Sequence, residues 1–162
     1  MRGFLEASDA DFVSGDIDSI SIRDIEQRVN DEDYLSFLIE SNGGFYCHKS
    51  IQMYGLSKLN HHNLKVINNQ ISELFDKMFM DLFSIGQDVF GNQFMIGKDR
   101  KIFFCNIETG EKEFIATGFN KWIEVVSSDL EYFSGERISV AWELYNGSFD
   151  YSSRLCPKKP FI

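Results

Sequence analysis

The side chains that could do chemistry are few. His48, His61 and His62 are the only histidines, so any general-base or imidazole-ligated mechanism near neutral pH must run through one of them. Cys47 and His48 are neighbours, and adjacent side chains on a strand point to opposite faces, which keeps the pair from converging on one metal or substrate. His61 and His62 stand between Asn60 and Asn63 and read as polar loop residues. No spacing of Cys and His matches a zinc site. Cys105 lies in the apolar run KIFFCNI without the basic or helix-terminal neighbour that activates a thiol, so it reads as a small core residue. Gly86, Gly91 and Gly118 lack the Lys and Ser/Thr of a phosphate-binding loop and read as turn glycines. Carboxylates recur at Asp31, Glu32 and Asp33 and again at Glu108, Glu111 and Glu113. The first group suits a helix N-terminus and the second exposed strand or turn positions, and nothing singles out an acid–base pair. These residues imply a protein without catalytic residues, metal or cofactor that acts by surface recognition.

Charge narrows what such a surface could recognise. The 162 residues carry 16 Lys and Arg against 25 Asp and Glu, a formal charge of −9, which repels nucleic-acid phosphates and anionic lipid headgroups. Residues 1–33 hold ten of the acids and three of the bases, so −7 of the −9 lies there. The length supports one hydrophobic core, and 16 Phe against 2 Pro is the composition of a packed domain. Three cysteines without regular spacing, Cys47, Cys105 and Cys156, fit reduced thiols in a cytoplasm. No apolar run approaches the roughly 20 residues of a membrane span.

Periodicity then places the elements. Residues 1–16 are acidic with isolated Phe4, Leu5, Phe12 and Val13, the pattern of a loosely docked arm ahead of a single domain over 17–162. Helical spacing of Ile22, Ile25 and Val29 predicts a short helix over 19–29. The next helix has Asn30 as its expected cap, Asp31, Glu32 and Asp33 in its first turn, an apolar face of Tyr34, Leu35, Phe37 and Leu38, and a stop at Asn42, Gly43 and Gly44. FYCH and SIQMYG read as two short strand segments. Apolar recurrence over 64–79 predicts a helix packed on a sheet. DLFSIGQD, NQFMIG, KIFFCNI and KEFIAT, separated by turn residues, predict an antiparallel meander. Over 119–133, Phe119, Trp122, Ile123, Val126, Leu130 and Phe133 share one helical face, and a further helix over 136–145 stops at Asn146 and Gly147. The tail with Pro157 and Pro160 reads as an extended strap. Phe37, Phe75, Phe94, Phe103, Phe104 and Trp122 fall at core-facing positions. Strands grouped together rather than alternating with crossovers give an α+β fold, an antiparallel sheet of about four to six strands against N-terminal, middle and C-terminal helices.

Three collinear fragments carry a resemblance: DYLSFLIESNGG (33–44), FSIGQDVFGNQFMIGKDRKIFFCNIETGE (83–111) and ELYNGSFDYSSRLCPKKPF (143–161). Together they resemble the SUKH superfamily, in which a D-Y-x-x-F-L helix ends in an N-G-G turn, a strand pair carries a G-x-N-x-F-x-I-like turn, a D-x-x-T-G-E-like hairpin follows, and helices close the domain. The matching residues are Tyr34, Phe37, Leu38, Asn42, Gly43 and Gly44, then Gly91, Asn92, Phe94 and Ile96, then Thr109, Gly110 and Glu111. Arg154, Leu155, Pro157, Pro160 and Phe161 resemble the closing R-L-x-P-x-x-P-F. Val29 and Asn30 replace the usual L-P, and residues 55–80 hold no distinctive family motif.

The resemblance implies a SUKH-like α+β fold without a catalytic site, found in immunity proteins of bacterial polymorphic toxin systems and in fungal regulators of cell-wall synthesis. It implies that Asn42, Gly43, Gly44, Gly91, Asn92, Gly110, Arg154, Pro157 and Pro160 are scaffold. With the acidity it leads us to expect an immunity protein that neutralises a cognate toxin, a nuclease being the expected class because a nuclease cleft must be basic. The alternative is a non-catalytic scaffold for cell-wall or signalling proteins. Expected toxin contacts are Asp31, Glu32, Asp33, Asp88, Asp99, Glu108, Glu111 and Glu113, with Tyr46 as an aromatic anchor. The expected state is a monomer or weak homodimer, with a basic protein as partner and neither nucleic acid nor membrane.

Overall fold

Short runs joined by tight turns pair with their sequence neighbours, while Ile51–Met53 and Leu82–Asp88 pair across the segment that holds the helix Leu64–Phe75. In the computed structural model, which describes residues 2–9, 11–13, 17, 19–59, 61–75 and 77–156, six strands form one antiparallel sheet in sequence order. They are β1 (Gly44–Tyr46), β2 (Ile51–Met53), β3 (Leu82–Asp88), β4 (Gln93–Gly97), β5 (Ile102–Cys105) and β6 (Lys112–Ala116). The helices are α1 (Arg2–Glu6), α2 (Ser19–Glu26), α3 (Glu32–Ser41), α4 (Leu64–Phe75), α5 (Phe119–Ser128), α6 (Leu130–Ser134) and α7 (Glu136–Asn146). This is the α+β arrangement that grouped strands dictate. Among the described residues no helix is long and apolar enough to cross a membrane.

Strand alternation sorts the sheet into two unlike faces. Ile51, Met53, Ile85, Phe94, Ile96 and Ile102 meet Tyr34, Phe37 and Leu38 of α3 and Phe119, Trp122 and Val126 of α5 in the main core. Phe119 and Trp122 stack at 5.3 Å between centroids, and Trp122 meets Phe94 edge-on at 5.1 Å. Each such fully buried aromatic contributes roughly 2–3 kcal/mol. On the opposite face a smaller cluster of Phe79, Met95 and Cys105 lies under half-buried Ile71, Phe75 and Phe103. Gln52, Gln87 and Gln93, register partners across β2, β3 and β4, form a polar row on that same face.

The two helices over the main core start from one carboxylate. Asp31, not Asn30, caps α3: its backbone is extended and its Oδ1 accepts from Tyr34 N at 3.0 Å. Its Oδ2 accepts from Phe119 N, the first residue of α5, at 3.1 Å, and lies 3.5 Å from Arg100 Nε. A Cβ on Gly118 would sit 3.3 Å from that oxygen, so this glycine is a close-approach residue rather than a turn. At the other end of α3, Asn42 takes the left-handed conformation, φ 50°, and its Oδ1 accepts from Leu56 N at 2.6 Å. A Cβ on Gly43, φ 76°, would lie 2.5 Å from the Met53 carbonyl oxygen.

Several expectations are corrected. Within the segment expected to lack a regular element, residues Arg2–Glu6 form α1, whose Phe4 is buried and stacked on Tyr46 at 4.5 Å. The periodic run 119–133 is two helices, because Asp129 leaves helical dihedrals (φ −143°, ψ 67°) and its side chain caps α6. Helix α4 ends at Phe75, and Phe79 reaches the second core through the turn over 77–81. Gly86 lies inside β3 at a bulge, where a Cβ would be 2.5 Å from the Gln52 carbonyl oxygen. Cys47 and His48 are not on a strand but in the β1–β2 turn. Pro157, Pro160 and Phe161 lie outside the described residues, while Arg154 lies over Phe45 of β1 and Leu155 N donates to Val89 O in the β3–β4 turn at 2.9 Å.

We predict that Asp31→Ala, which strips a buried acceptor from two helix N-termini, lowers unfolding stability by about 2–4 kcal/mol in urea titration, and Asp31→Asn by less.

Candidate functional site

The expected contact residues divide by burial. Asp31, Tyr46 and Asp88 are buried, so none of them offers a surface contact. Tyr46 donates its hydroxyl to Gly43 O at 3.1 Å, and Asp88 accepts from Phe90 N at 2.9 Å, Asn92 N at 2.8 Å and Asn92 Nδ2 at 2.8 Å, building the turn that contains Gly91. Glu32 is exposed and Asp33 half-buried in the first turn of α3, and Asp99, exposed in the β4–β5 turn, pairs with Lys101 at 2.7 Å. Glu108, Glu111 and Glu113 are exposed around the β5–β6 hairpin, where Asn106 Oδ1 accepts from Glu108 N and Thr109 N and Gly110 closes the turn at φ 77°. The hairpin acids lie at the β6 edge of the sheet, whereas Asp9 and Asp11 lie beside β1 at the other edge, five strand spacings or about 24 Å away. They are two acidic surfaces, not one.

The N-terminal acids join residues that were not anticipated. Asp9 and Asp11 line an open cleft of about 580 Å³ with Lys49, Glu143, Ser148, Phe149, Asp150 and Tyr151. Two chain segments and the end of α7 converge there because each is pinned to the β1 edge. Asp9 N donates to Phe45 O at 2.7 Å and Cys47 N to Ala7 O at 3.2 Å. Phe12 and Tyr151 both pack on Phe45, at 4.7 and 4.9 Å between centroids.

Lys49 forms the floor. Its ammonium, almost fully buried, donates to Phe149 O at 3.1 Å and to Ser148 Oγ, lies 3.3 Å from Glu143 Oε1, and sits over the Tyr151 ring at 4.7 Å. Cys47, His48 and Lys49 all have positive φ, 53°, 54° and 61°, a left-handed run that costs roughly 1–2 kcal/mol per residue. The run is held by Ser50 Oγ donating to Cys47 O at 2.6 Å, Ser139 Oγ donating to His48 O at 2.7 Å, and His48 Nδ1 paired with Glu136 at 3.0 Å. Four carboxylates against one ammonium leave the cleft strongly negative. Burial and the Asp9 carboxylate push the Tyr151 hydroxyl up to about 12, so it stays a neutral donor. Such a lining, concave and acidic, suits a cationic side chain.

Behind the cleft lies the polar row. Gln93 Oε1 accepts from Tyr54 at 3.0 Å and from Ser84 at 2.7 Å, the Gln87 and Gln52 amides meet at 2.7 Å, and Gln52 Nε2 donates to His61 O at 2.9 Å. Arg154, a pure donor, lies over the Phe45 ring at 5.0 Å, with its Nε 2.8 Å from the Gln87 side-chain amide. His62, expected as a loop residue, is buried, with Nε2 3.1 Å from Asn42 O and Phe12 packed on its ring at 4.7 Å. Cys47 and Cys105 are buried, and burial raises their thiols to about 11 and about 12, well out of the reactive range. Among the described residues no three His, Cys, Asp or Glu side chains gather to hold a metal ion.

Sequence reasoning missed Lys49, Glu143, Asp150 and Tyr151. Lys49 and Phe149 are 100 residues apart, and no local pattern announces such a meeting.

The sequence model of the SMI1 / KNR4 family (SUKH-1) matches residues 17–125, from α2 into α5. Apart from Lys49, the lining of the cleft lies outside that span. No curated protein matches the chain in a sequence search. The crystal structure of Atu4351 from Agrobacterium tumefaciens superposes with a TM-score of 0.56 at 16% identity, covering 82% of this chain and 60% of that one. That likeness is one of fold.

Burial lowers His62 from 6.5 to about 4, so as the pH falls the unfolded chain takes up this proton first. His62 therefore contributes stability that is complete above about pH 6.5 and is lost progressively toward pH 4, by about 3 kcal/mol. Asp88, pushed up to about 6 by burial, acts in the opposite sense between about pH 4 and 6. His62→Gln should flatten the acid loss of unfolding stability between pH 6.5 and 4.5, and Asp88→Asn should steepen it; an unchanged slope in both contradicts these assignments.

Proposed function

The chain belongs to the SMI1 / KNR4 family (SUKH-1), and on that premise we propose that it works as an immunity protein, binding a cognate bacterial toxin and neutralising it by protein–protein contact. The family accommodates immunity proteins and regulators alike. What favours a basic, toxin-like partner is the cleft, where Asp9, Asp11, Glu143 and Asp150 converge from both ends of the chain around a fixed ammonium. A nuclease must hold phosphates in a basic cleft, so an acidic counterpart speeds encounter and can occupy the same ground. The shared scaffold carries the sheet, and the chain's own ends carry the charge.

In this reading the cleft takes lysine or arginine side chains of the toxin. Asp9, Asp11 and Asp150 supply charge-assisted acceptors, while the Tyr151 ring is already taken by the Lys49 ammonium. Glu143 has a different role, since it neutralises the buried Lys49 at 3.3 Å and keeps the floor in place. Localisation in a cytoplasm, where an intracellular toxin would act, belongs to the same proposal.

The test is to mix the purified chain with the toxin domain encoded beside its gene. We expect a stoichiometric complex and loss of toxin activity. The triple variant Asp9→Asn, Asp11→Asn, Asp150→Asn should slow association about tenfold or more at low salt, while dissociation changes less. Absence of a complex at micromolar concentrations overturns the pairing.

A further inference from the structure

The sheet ends at β6, and among the described residues no strand pairs with its outer side. Asn106 N donates to Glu111 O at 2.9 Å, and Phe104 is the register partner of Glu113. By antiparallel alternation Glu111 and Glu113 spend their backbone groups on β5, whereas Lys112 and Phe114 hold theirs outward. The edge is therefore an open row of donors and acceptors.

Its side chains sort by face. Phe114 is 51% exposed beside Phe103, 5.9 Å between centroids, on the face of the smaller core. Lys112 shares that face but places its ammonium 5.7 Å from the Phe79 ring centroid. Exposed Met78 extends the apolar side, packed so tightly on Gly110 that a Cβ there would lie 2.7 Å from its Sδ. Glu111 and Glu113 alternate to the other face, where Glu113 accepts from the exposed Tyr132 hydroxyl at 2.7 Å. One side of the open edge is thus apolar and the other acidic.

We infer that β6 accepts an added strand from a partner protein whose residues alternate apolar and basic, the apolar ones lying beside Phe114 and the basic ones beside Glu111 and Glu113. Backbone pairing supplies the attachment, and the two unlike faces supply register and direction of the alternation. The site lies at the opposite sheet edge from the acidic cleft, so it stands or falls separately from toxin neutralisation.

The probe is a fluorescein-labelled peptide of about nine residues, the length of a long strand, with Lys and Val alternating, compared with a peptide of equal composition whose Lys and Val are grouped in two blocks. The alternating peptide should bind at least about tenfold more tightly than the block peptide, and Glu111→Lys/Glu113→Lys should remove that preference. Hydrogen exchange of the Lys112 and Phe114 amides should slow in the complex, a readout independent of the variants. Equal binding of the two peptides, no binding of either, or unprotected Lys112 and Phe114 amides overturns the inference. So does sedimentation showing a dimer of the chain that excludes the peptide, which would place a second copy on the edge.

Discussion

The buried carboxylate of Asp31 is the contact on which the arrangement of the domain depends. Its two oxygens accept from the first turns of α3 and α5, one of the bonds spanning 88 residues, and together these helices cover the main face of the sheet. A carboxylate removed from water is tolerated only when its lone pairs are met, and here two backbone N–H groups and the Arg100 guanidinium meet them. Because helix N-termini carry partial positive charge, one anion between two of them serves both. Phe37 and Leu38 of α3 and Phe119 and Trp122 of α5 pack in one core beside that junction.

The other organising contacts tie the chain ends to the first strands. Asn42 ends α3 and holds the loop that carries His62, His62 supports Phe12, and Phe12 and Tyr151 lie together on Phe45. Arg154 completes the layer over the same ring. The acidic cleft is the outer surface of this layer. Its left-handed turn at Cys47, His48 and Lys49 is locally unfavourable and persists because α7 and the C-terminal segment satisfy its carbonyls and its ammonium. The scaffold thus positions charge at one edge of the sheet, and among the described residues no strand covers the other.

Much of this was legible in the sequence, for reasons that can be named. The strands and α3 follow directly from alternation, from the run of acids at a helix start and from the Asn42–Gly44 stop. The SUKH-like resemblance, carried by the same segments, agrees with the family match over 17–125. What was not legible depends on contacts between distant residues. Asn30 and Asp31 are equally good caps locally, and the long-range bond from Phe119 N to Asp31, invisible in sequence, goes with the choice of Asp31. Tyr46 and Asp88 look like surface residues in sequence, yet the packing of α1 buries the first and a tight turn consumes the second. The periodicity of 119–133 is real but hides the break at Asp129, because a capping aspartate keeps the phase of the apolar face. The cleft could not be foreseen, since it forms where Asp9, Asp11, Lys49, Glu143 and the segment 148–151 meet.

The central claim, that the acidic cleft built by the two chain ends is the toxin-binding surface, is tested most directly by a hydrogen-exchange footprint of the complex with the toxin encoded beside the gene. The account predicts protection concentrated in residues 9–12 and 147–151, with the β1–β2 turn beside them. Protection confined to surfaces away from these segments, with the cleft exchanging as in the free protein, would contradict it.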